Sequence, residues 1–268
     1  MARLNLLLLV LWICNVSAQD EWLTFYERSG CVATPRYDET VMFCKKLDSA
    51  SAMVHYSTFG YSPQGRALPL LIADKEGNFD PASVKRSGKP VILIQAGIHA
   101  GEIDGKDAGL VFFRDLIVYG KNVSLLEKVT ILFIPILNVD GHERFGPYNR
   151  INQNGPQEMG WRTTAQNLNL NRDYLKADSP EMIAWLKLWN AWLPDFFLDL
   201  HVTDGADYQY VSTYGMEIYG NMEQNLTQWS KNTFIPAFTK DMDKSGFPVF
   251  PYVSSGGGMI RKADFQGI

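Results

Sequence analysis

Continuous apolar runs predict the interior strands of this chain. Three of them are short and show almost no polar alternation: VILIQAG at residues 91–97, VTILFIPIL at 129–137 and FFLDLH at 196–201. Such runs are typical of parallel strands that are buried on both faces. Further upstream, the β-rich runs MVHYSTFG and RALPLLIAD flank YSPQG, whose proline and glycine favour a turn. Together these segments predict a hairpin.

Apolar residues at helical spacing lie between the strands. The segment GKDAGLVFFRDLIVYG predicts a helix that ends at Gly120, and Ser179-Pro180-Glu181 is typical of a helix start. A short helix is predicted at residues 40–47 and a last helical stretch at 221–246, bent or divided near Pro236, whereas residues 76–90 are predicted to form a loop. Strands that alternate with helices favour one α/β domain with a largely parallel sheet.

The first residues, MARLNLLLLVLWICNVSAQD, have the composition of a secretory signal. Arg3 supplies the positive start, an apolar stretch follows, and Val16-Ser17-Ala18 is a small-residue cleavage site. We therefore expect a signal peptide at 1–18 and a secreted protein, extracellular or periplasmic. A lipoprotein site at Cys14 fits less well. After cleavage, Cys31 and Cys44 could close a disulfide loop worth about 3 kcal/mol or remain free thiols.

Composition and charge narrow the classes of partner. The chain has 268 residues, 46% of them hydrophobic, and a formal net charge of −4. No basic stripe is present in the sequence, so nucleic acid is not an expected partner. Apart from the N-terminal stretch, no run of the sequence is long and apolar enough to cross a membrane, and no membrane contact is expected after signal removal.

Residues that can bind a metal follow two of the predicted strands. His99 and Glu102 lie in IHAGEIDG, directly behind VILIQAG, and His201 ends FFLDLH. Ligands in open α/β sheets bind beyond the carboxyl ends of the strands. Two imidazoles and a carboxylate that converge there would form a His₂Glu zinc site with an open position for water. Gly101 and Gly105 are expected to give the turn its conformational freedom.

Each of these residues also has a structural interpretation. A single His-x-x-Glu spacing has little specificity, and a single histidine at a strand end is more often a hydrogen-bonded structural residue. We interpret His55, in the predicted hairpin, and His142, in a long polar segment after NVDG, as structural. That polar segment, residues 142–174, has no periodicity, and loops of such length in a compact domain are usually functional.

Several motifs together resemble the M14 zinc carboxypeptidases. GYSPQGR, HAGEIDG, NVDG, GWRTTAQNLNLNRDY and DLH occur in the family's order and rough spacing between about residues 53 and 204. The resemblance implies a three-layer α/β/α fold with a mixed, largely parallel central sheet. It also implies one zinc ion bound by His99, Glu102 and His201. Asn171 and Arg172 would bind the terminal carboxylate of a peptide substrate, and Arg162 would stabilise the oxyanion. A planar guanidinium suits a carboxylate because it donates two parallel hydrogen bonds.

The sequence departs from the family pattern at two places. Asn169 stands where the family usually has an aspartate that is hydrogen-bonded to the first zinc histidine, and an amide there carries no full charge. Counted from His201, the family spacing would place the general-base glutamate past Ile268, and Glu217 and Glu223 come too early to take this role. Tyr252 has about the spacing of the family's active-site tyrosine, but its surroundings differ.

These observations predict a secreted zinc metallocarboxypeptidase that hydrolyses C-terminal peptide bonds. The expected organisation is a signal peptide at 1–18, a lead-in at 19–50 and a catalytic domain at 51–268 that is incomplete at its C-terminus. Two alternatives stay open. One is a same-fold amidase that acts on acyl-amino acids or cell-wall peptides. The other is a catalytically inactive module that binds zinc and peptide, which the missing glutamate would favour.

Overall fold

The computed structural model describes residues 21–203, 205 and 208–252 of the chain. The predicted signal peptide at 1–18 lies outside this part. Contacts divide the chain into two compact units, residues 1–205 and 206–268. Each unit is described by itself. The predicted domain boundary near residue 50 falls between a helix that ends at Ala50 and a strand that begins at Val54, and it stays a prediction.

A five-stranded mixed sheet forms the centre of the first unit. Its strands are β1 (Val54–Tyr61), β2 (Ala67–Ala73), β3 (Val91–Ala96), β4 (Thr130–Ile134) and β5 (Phe196–Leu200), in the order β1-β2-β4-β3-β5. The β1–β2 and β2–β4 pairs are antiparallel, whereas β3 runs parallel to both β4 and β5. The predicted hairpin is therefore confirmed, and the three runs predicted as buried parallel strands are neighbours in the sheet.

Helices cover both faces of this sheet. They are α1 (Phe25–Arg28), α2 (Tyr37–Ala50), α3 (Pro81–Ser87), α4 (Asp104–Ile117), α5 (Val139–His142) and α6 (Pro180–Trp192), with 3₁₀ turns at Val123–Glu127 and Leu170–Arg172. Phe133 of β4 packs with Leu47 of α2 and Phe113 of α4 on one face. Its neighbour Leu132 packs with Met182 of α6 on the other. Because successive strand residues point to opposite faces, this alternation produces three layers. The predicted three-layer α/β/α fold is confirmed.

The prediction of a loop at residues 76–90 was wrong, because α3 lies inside it. Asp80 caps this helix by accepting hydrogen bonds from the backbone N–H groups of Ala82 and Ser83. Pro81 occupies the first turn, where its missing N–H is tolerated. Gly88 ends the helix in the left-handed conformation at φ 73°.

The two cysteines of the described part are both free thiols, Cys31 exposed and Cys44 buried. The structure therefore shows the unpaired state of the two states that the sequence allowed.

The second unit contains a short parallel pair of strands and a helical stretch. The strands are β6 (Ser212–Tyr214) and β7 (Val249–Pro251), and the helices are α7 (Gln224–Trp229) and α8 (Ile235–Lys244), joined by a π-helical turn at Ser230–Phe234. The predicted interruption near Pro236 is confirmed, since the π-helical turn comes just before it and the proline lies in the first turn of α8. Glu223 accepts hydrogen bonds from two backbone N–H groups at the start of α7.

Glu181 is a buried carboxyl group in the first turn of α6. Its side chain is fully buried, and neither oxygen has a hydrogen-bond partner in the described part of the chain. Burial raises the pKa of Glu181 from 4.5 to about 7, and the nearby charges of Asp140 and Asp173 act in the same direction. Folding therefore favours the protonated form. The stability that this preference supplies is complete below about pH 4.5 and is lost as the pH rises through 7.

We therefore expect Glu181→Gln to stabilise the protein at pH 8 and to have little effect at pH 4.5. The amide cannot ionise, so the cost of a buried charge, about 1–3 kcal/mol, should disappear at high pH. Urea unfolding at both pH values measures the difference. Glu127→Gln, at an exposed glutamate, is the matched control and should change neither value. Equal effects of Glu181→Gln at the two pH values would contradict the prediction.

Candidate metal centre

The carboxyl ends of β3 and β5 bring the candidate ligands together. His99 and Glu102 lie in the turn after β3, where the backbone N–H of Glu102 donates to the carbonyl of His99 at 2.9 Å. His201 follows β5 directly. Since Ala96 of β3 is paired with Leu200 of β5 in the parallel register, both strands end at the same level. Their following residues therefore meet.

His99, Glu102 and His201 form one compact group. Each offers a ligand atom, and these atoms all lie within 4.8 Å of one another. The two imidazole rings are 5.2 Å apart between centroids. His99 and Glu102 are each 3% exposed, whereas the side chain of His201 is 34% exposed. Among the described residues, this is the one group of at least three histidine, cysteine or acidic side chains that is compact enough to hold a metal ion.

In both histidines, Nε2 is the ring nitrogen that contacts a side chain outside the group. Nε2 of His99 lies 3.2 Å from the side-chain amide of Asn171, and Nε2 of His201 lies 3.1 Å from Oδ2 of Asp199. Nδ1 of His99 is buried and has no partner within the described residues. Nδ1 of His201 lies 3.1 Å from Oε2 of Glu102. Nε2 of each ring is thus held by a neighbouring side chain, which leaves Nδ1 of His99 unpartnered and Nδ1 of His201 beside Glu102.

Burial and neighbouring charges set the protonation of these groups. Burial lowers the pKa of His99 to about 4. Partial burial opposes charge on His201 as well, but hydrogen bonds to Asp199 and Glu102 outweigh it and raise the pKa to about 9. Despite its burial, Glu102 has a lowered pKa, because it accepts hydrogen bonds from His201 and from the backbone N–H of Val202. By themselves, the three groups are a neutral imidazole beside an ion pair.

This donor set suits a zinc ion. Two imidazole nitrogens and a carboxylate, with a position left for water, are typical of catalytic zinc sites. A buried ring nitrogen without a partner is costly, and a metal ion would satisfy Nδ1 of His99. Groups that hold the second nitrogen of each metal-binding histidine are usual, and Asn171 and Asp199 occupy those positions here.

Of the residues predicted to bind substrate, Arg162 and Asn171 lie beside this group. Nη1 of Arg162 is 4.0 Å from Oε1 of Glu102, and its side chain is 36% exposed. Arg162 also lines a cavity of about 410 Å³ together with Tyr148, Asn149, Arg150, Ile151, Asn152, Trp161 and Thr163. Arg172 is exposed and donates to the carbonyl of Asn171 at 2.7 Å. Arg172 is the residue after Asn171, whose side chain contacts His99.

Asn169 does not make the contact with His99 that its position in the family pattern suggested. Its side-chain oxygen accepts from the backbone N–H of Asn171 at 3.1 Å. The amide beside Nε2 of His99 belongs to Asn171. An amide can present either its oxygen or its nitrogen there, because the two exchange by rotation about the last bond.

Two further contacts of the group were missed from the sequence. Asp199 contacts His201, and Arg150 forms an ion pair with Glu102, with Nη2 and Oε1 2.8 Å apart. Asp199 could have been found, because it stands two residues before His201 in a strand and therefore on the same face. Arg150 lies in a segment without periodicity, which carries no such signal.

Gly101 and Gly105, in and after the turn that carries His99 and Glu102, allow neighbouring chain segments to pack closely. Neither Gly101 nor Gly105 has a positive φ, so the expected conformational freedom is not what these positions use. A Cβ at Gly101 would lie 2.6 Å from the carbonyl oxygen of Gly160, and one at Gly105 would lie 2.5 Å from Cβ of Leu200. Such distances are too short for any side chain.

The other two histidines have structural surroundings. His142 is buried, with Nε2 3.0 Å from Nζ of Lys106 and Nδ1 3.0 Å from Oε1 of Glu143. His55 stacks on the ring of Phe79 with centroids 5.4 Å apart. Neither belongs to the candidate metal group.

Comparison with known proteins agrees with this geometry. The family described as "Zinc carboxypeptidase", the M14 peptidases, matches residues 40–214, which is more than half of the chain. The chain belongs to the zinc carboxypeptidase family. The resemblance drawn from the sequence motifs is thereby confirmed. All three residues of the candidate metal group, together with Arg162, Asn171 and Arg172, lie within the matched range.

The match to related carboxypeptidases covers only part of the length of each relative. Carboxypeptidase 2 of Trichophyton rubrum is 27% identical over 236 residues, which is 83% of this chain and 40% of that protein. Carboxypeptidase B of Homo sapiens is 30% identical over 95 residues, covering 34% of this chain and 21% of that one. The chain therefore spans less than half the length of these relatives.

Solved structures share the fold. A metallo-carboxypeptidase from Burkholderia cenocepacia has a TM-score of 0.60 at 19% identity, covering 81% of this chain and 53% of that one. The metallo-carboxypeptidase from Pseudomonas aeruginosa in complex with (2-guanidinoethylmercapto)succinic acid has a TM-score of 0.59 at 20% identity, covering 84% and 53%. In the described part of this chain, no helix has the length and apolar character to span a membrane.

Proposed function

We propose that the chain acts as a zinc metallocarboxypeptidase, which hydrolyses the C-terminal peptide bond of its substrates. The carrying observation is the group formed by His99, Glu102 and His201, in which a buried Nδ1 of His99 lacks a partner. Family membership supports the proposal. These three residues would hold one zinc ion per chain. When bound, zinc polarises a carbonyl and lowers the pKa of a water molecule to about 7.

The chain's own residues would bind and orient the peptide. Arg162 is partly exposed beside Glu102, where a cation can stabilise negative charge that develops on the scissile carbonyl oxygen. Arg172 and Asn171 would bind the C-terminal carboxylate. The carboxylate would fix which bond lies at the metal, because it terminates the substrate. Peptide and protein C-termini are thus the proposed substrates.

Hydrolysis also needs a group that takes the proton of water and gives it to the leaving amine. The metal group of the described part contains Glu102 as its acidic member, and a ligand does not serve as base at the same time. A module that binds zinc and peptide without turnover is therefore the second candidate. An amidase of the same fold would share the metal group and differ in its substrate.

One assay separates these candidates. The purified chain, loaded with one zinc, is incubated with blocked dipeptides that carry a free C-terminus and with acyl-amino acids. A carboxypeptidase should release the terminal amino acid from the dipeptides, and chelation followed by zinc should remove and restore the activity. Binding of zinc and dipeptide without release would favour the binding module. Faster cleavage of acyl-amino acids would favour the amidase, and absence of zinc binding would contradict all three.

We further propose that the protein is exported. The charged start, apolar core and Val-x-Ala site at residues 1–18 support this. The domain organisation given above, with a lead-in at 19–50, belongs to the same proposal. Mass spectrometry of material secreted by the source cells should find a chain that begins near Gln19, and an intact Met1 would contradict export by cleavage.

A further inference from the structure

Arg150 is a buried cation beside the candidate metal group. It lies in the long polar segment between α5 and the 3₁₀ turn at Leu170–Arg172. Its Nη2 is 2.8 Å from Oε1 of Glu102, and the two side chains are 6% and 3% exposed. Two charges taken out of water each lose solvation, so a buried pair of this kind needs close and well-directed contacts.

The two oxygens of Glu102 have different partners. Oε1 faces Arg150 at 2.8 Å and Arg162 at 4.0 Å. Oε2 accepts from the backbone N–H of Val202 at 2.9 Å and lies 3.1 Å from Nδ1 of His201. The carboxylate is therefore held on both sides, and the oxygen that faces the ligand atom of His201 is Oε2.

Arg150 is itself fastened to both ligand-bearing segments. Its Nε donates to Oε1 of Gln153 at 2.8 Å, and Nε2 of Gln153 donates to the carbonyl of Thr203, two residues after His201. Its aliphatic stem packs on the turn between His99 and Glu102, since a Cβ at Gly101 would lie 2.8 Å from Cγ of Arg150. The Arg150–Gln153 pair therefore touches the turn after β3 and the chain after β5.

The two arginines near Glu102 differ in exposure. The side chain of Arg162 is 36% exposed, whereas that of Arg150 is 6% exposed. A substrate can reach Arg162 from the cavity that both residues line. The guanidinium of Arg150 instead forms an ion pair with Glu102 and donates a hydrogen bond to Gln153. The geometry separates a substrate-facing arginine from one that acts on the metal ligand.

We propose that Arg150 is a positioning residue of the metal site, which fixes the Glu102 carboxylate so that Oε2 is presented to the metal, with Gln153 extending the hold to the segment after His201. This inference rests on the proposed zinc site. Groups that orient metal ligands typically account for about 10- to 100-fold in metal affinity. Loss of Arg150 leaves the carboxylate free to rotate away from the histidines, and zinc binding weakens.

The test measures the zinc dissociation constant by competition with a chelator. Arg150→Met keeps the bulk of the stem and should bind zinc about 10- to 100-fold more weakly than wild type. Arg150→Lys should recover part of this loss, because an ammonium group can still pair with Oε1. Gln153→Leu leaves the guanidinium in place without its anchor and should show a smaller loss. Arg144→Met, at an exposed arginine of the same segment that donates to Asn167, should equal wild type.

A second readout follows the ligand geometry directly. Cobalt bound in place of zinc absorbs visible light with an intensity that depends on its coordination, so Arg150→Met should change the cobalt spectrum while Arg144→Met should not. A residue that only supports the fold would lower the melting temperature of the metal-free protein without moving the zinc affinity or the spectrum.

The outcomes distinguish this inference from the proposed function. Wild-type zinc affinity in Arg150→Met, or a tighter one because a repelling cation has been removed, overturns the positioning role and leaves the zinc site intact. If Arg150→Met does not fold, Gln153→Leu decides, and wild-type affinity and spectrum in that variant overturn the role. A wild-type chain that binds no zinc overturns the proposed function itself and this inference with it.

Discussion

His99→Ala should leave the purified protein with almost no zinc, where the wild type retains about one zinc per chain. Three protein ligands are the usual minimum of a catalytic zinc site, and the substitution leaves Glu102 and His201. Nδ1 of His99 is buried and has no partner among the described residues, so zinc binding at this nitrogen displaces no hydrogen bond. Metal analysis after gel filtration in metal-free buffer measures the content directly.

His142→Ala is the matched control for this prediction. His142 is buried like His99, but its two nitrogens are engaged by Lys106 and Glu143. Its removal should lower the melting temperature, because Lys106 and Glu143 would each lose a buried partner. The zinc content should remain that of the wild type. Equal zinc content in His99→Ala and wild type would contradict the assignment of the ligands, whatever the control shows.

The convergence of the ligands could be predicted because it follows from strand direction. His99 and His201 each come just after an apolar run, and the ends of parallel strands meet at one edge of a sheet. The order of the strands could not be read in the same way. β5 lies beside β3 and not beside β4, and the three apolar runs that form these strands look alike in the sequence. Hydrophobic patterning alone leaves both arrangements open.

Local signals were also present that the loop prediction for residues 76–90 did not use. Asp80-Pro81 is typical of an N-cap and first turn, and Gly88 of a helix end. The helix is short, and the proline and glycines around it equally resemble a loop. Propensity sums over so few residues are small, so the packing of Val84 into the core decides the outcome.

Contacts made by the long polar segment had no signal in the sequence. Arg150 reaches Glu102, and Gln153 reaches Thr203, from a region that lacks both helical and strand periodicity. Side chains in such a segment are directed by individual turns and by the elements that the segment crosses. The motif at 161–174 predicted that Arg162, Asn171 and Arg172 lie near the group. That Asn171 and not Asn169 lies beside His99 depends on how the 3₁₀ turn folds.

Arg172→Ala should weaken the binding of a blocked dipeptide with a free C-terminus by about 2–5 kcal/mol, which is roughly 30-fold or more. The guanidinium of Arg172 would pair with the terminal carboxylate through two charge-assisted hydrogen bonds, and an alanine would leave that carboxylate unpaired in the site. Calorimetric titration of the zinc-loaded protein measures the affinity without requiring turnover. Arg86→Ala, at an exposed arginine of α3, is the control and should bind as the wild type does.

The same titration with the C-terminally amidated dipeptide shows whether Arg172 recognises the carboxylate. The amide carries no negative charge, so it should bind weakly to the wild type, and Arg172→Ala should cost it little further affinity. Arg172 is exposed and donates only to the neighbouring carbonyl of Asn171 among its described hydrogen bonds, so its removal disturbs few contacts of the fold. If the free and amidated peptides lost affinity alike, the arginine would support the turn beside His99, and the carboxylate would be bound elsewhere.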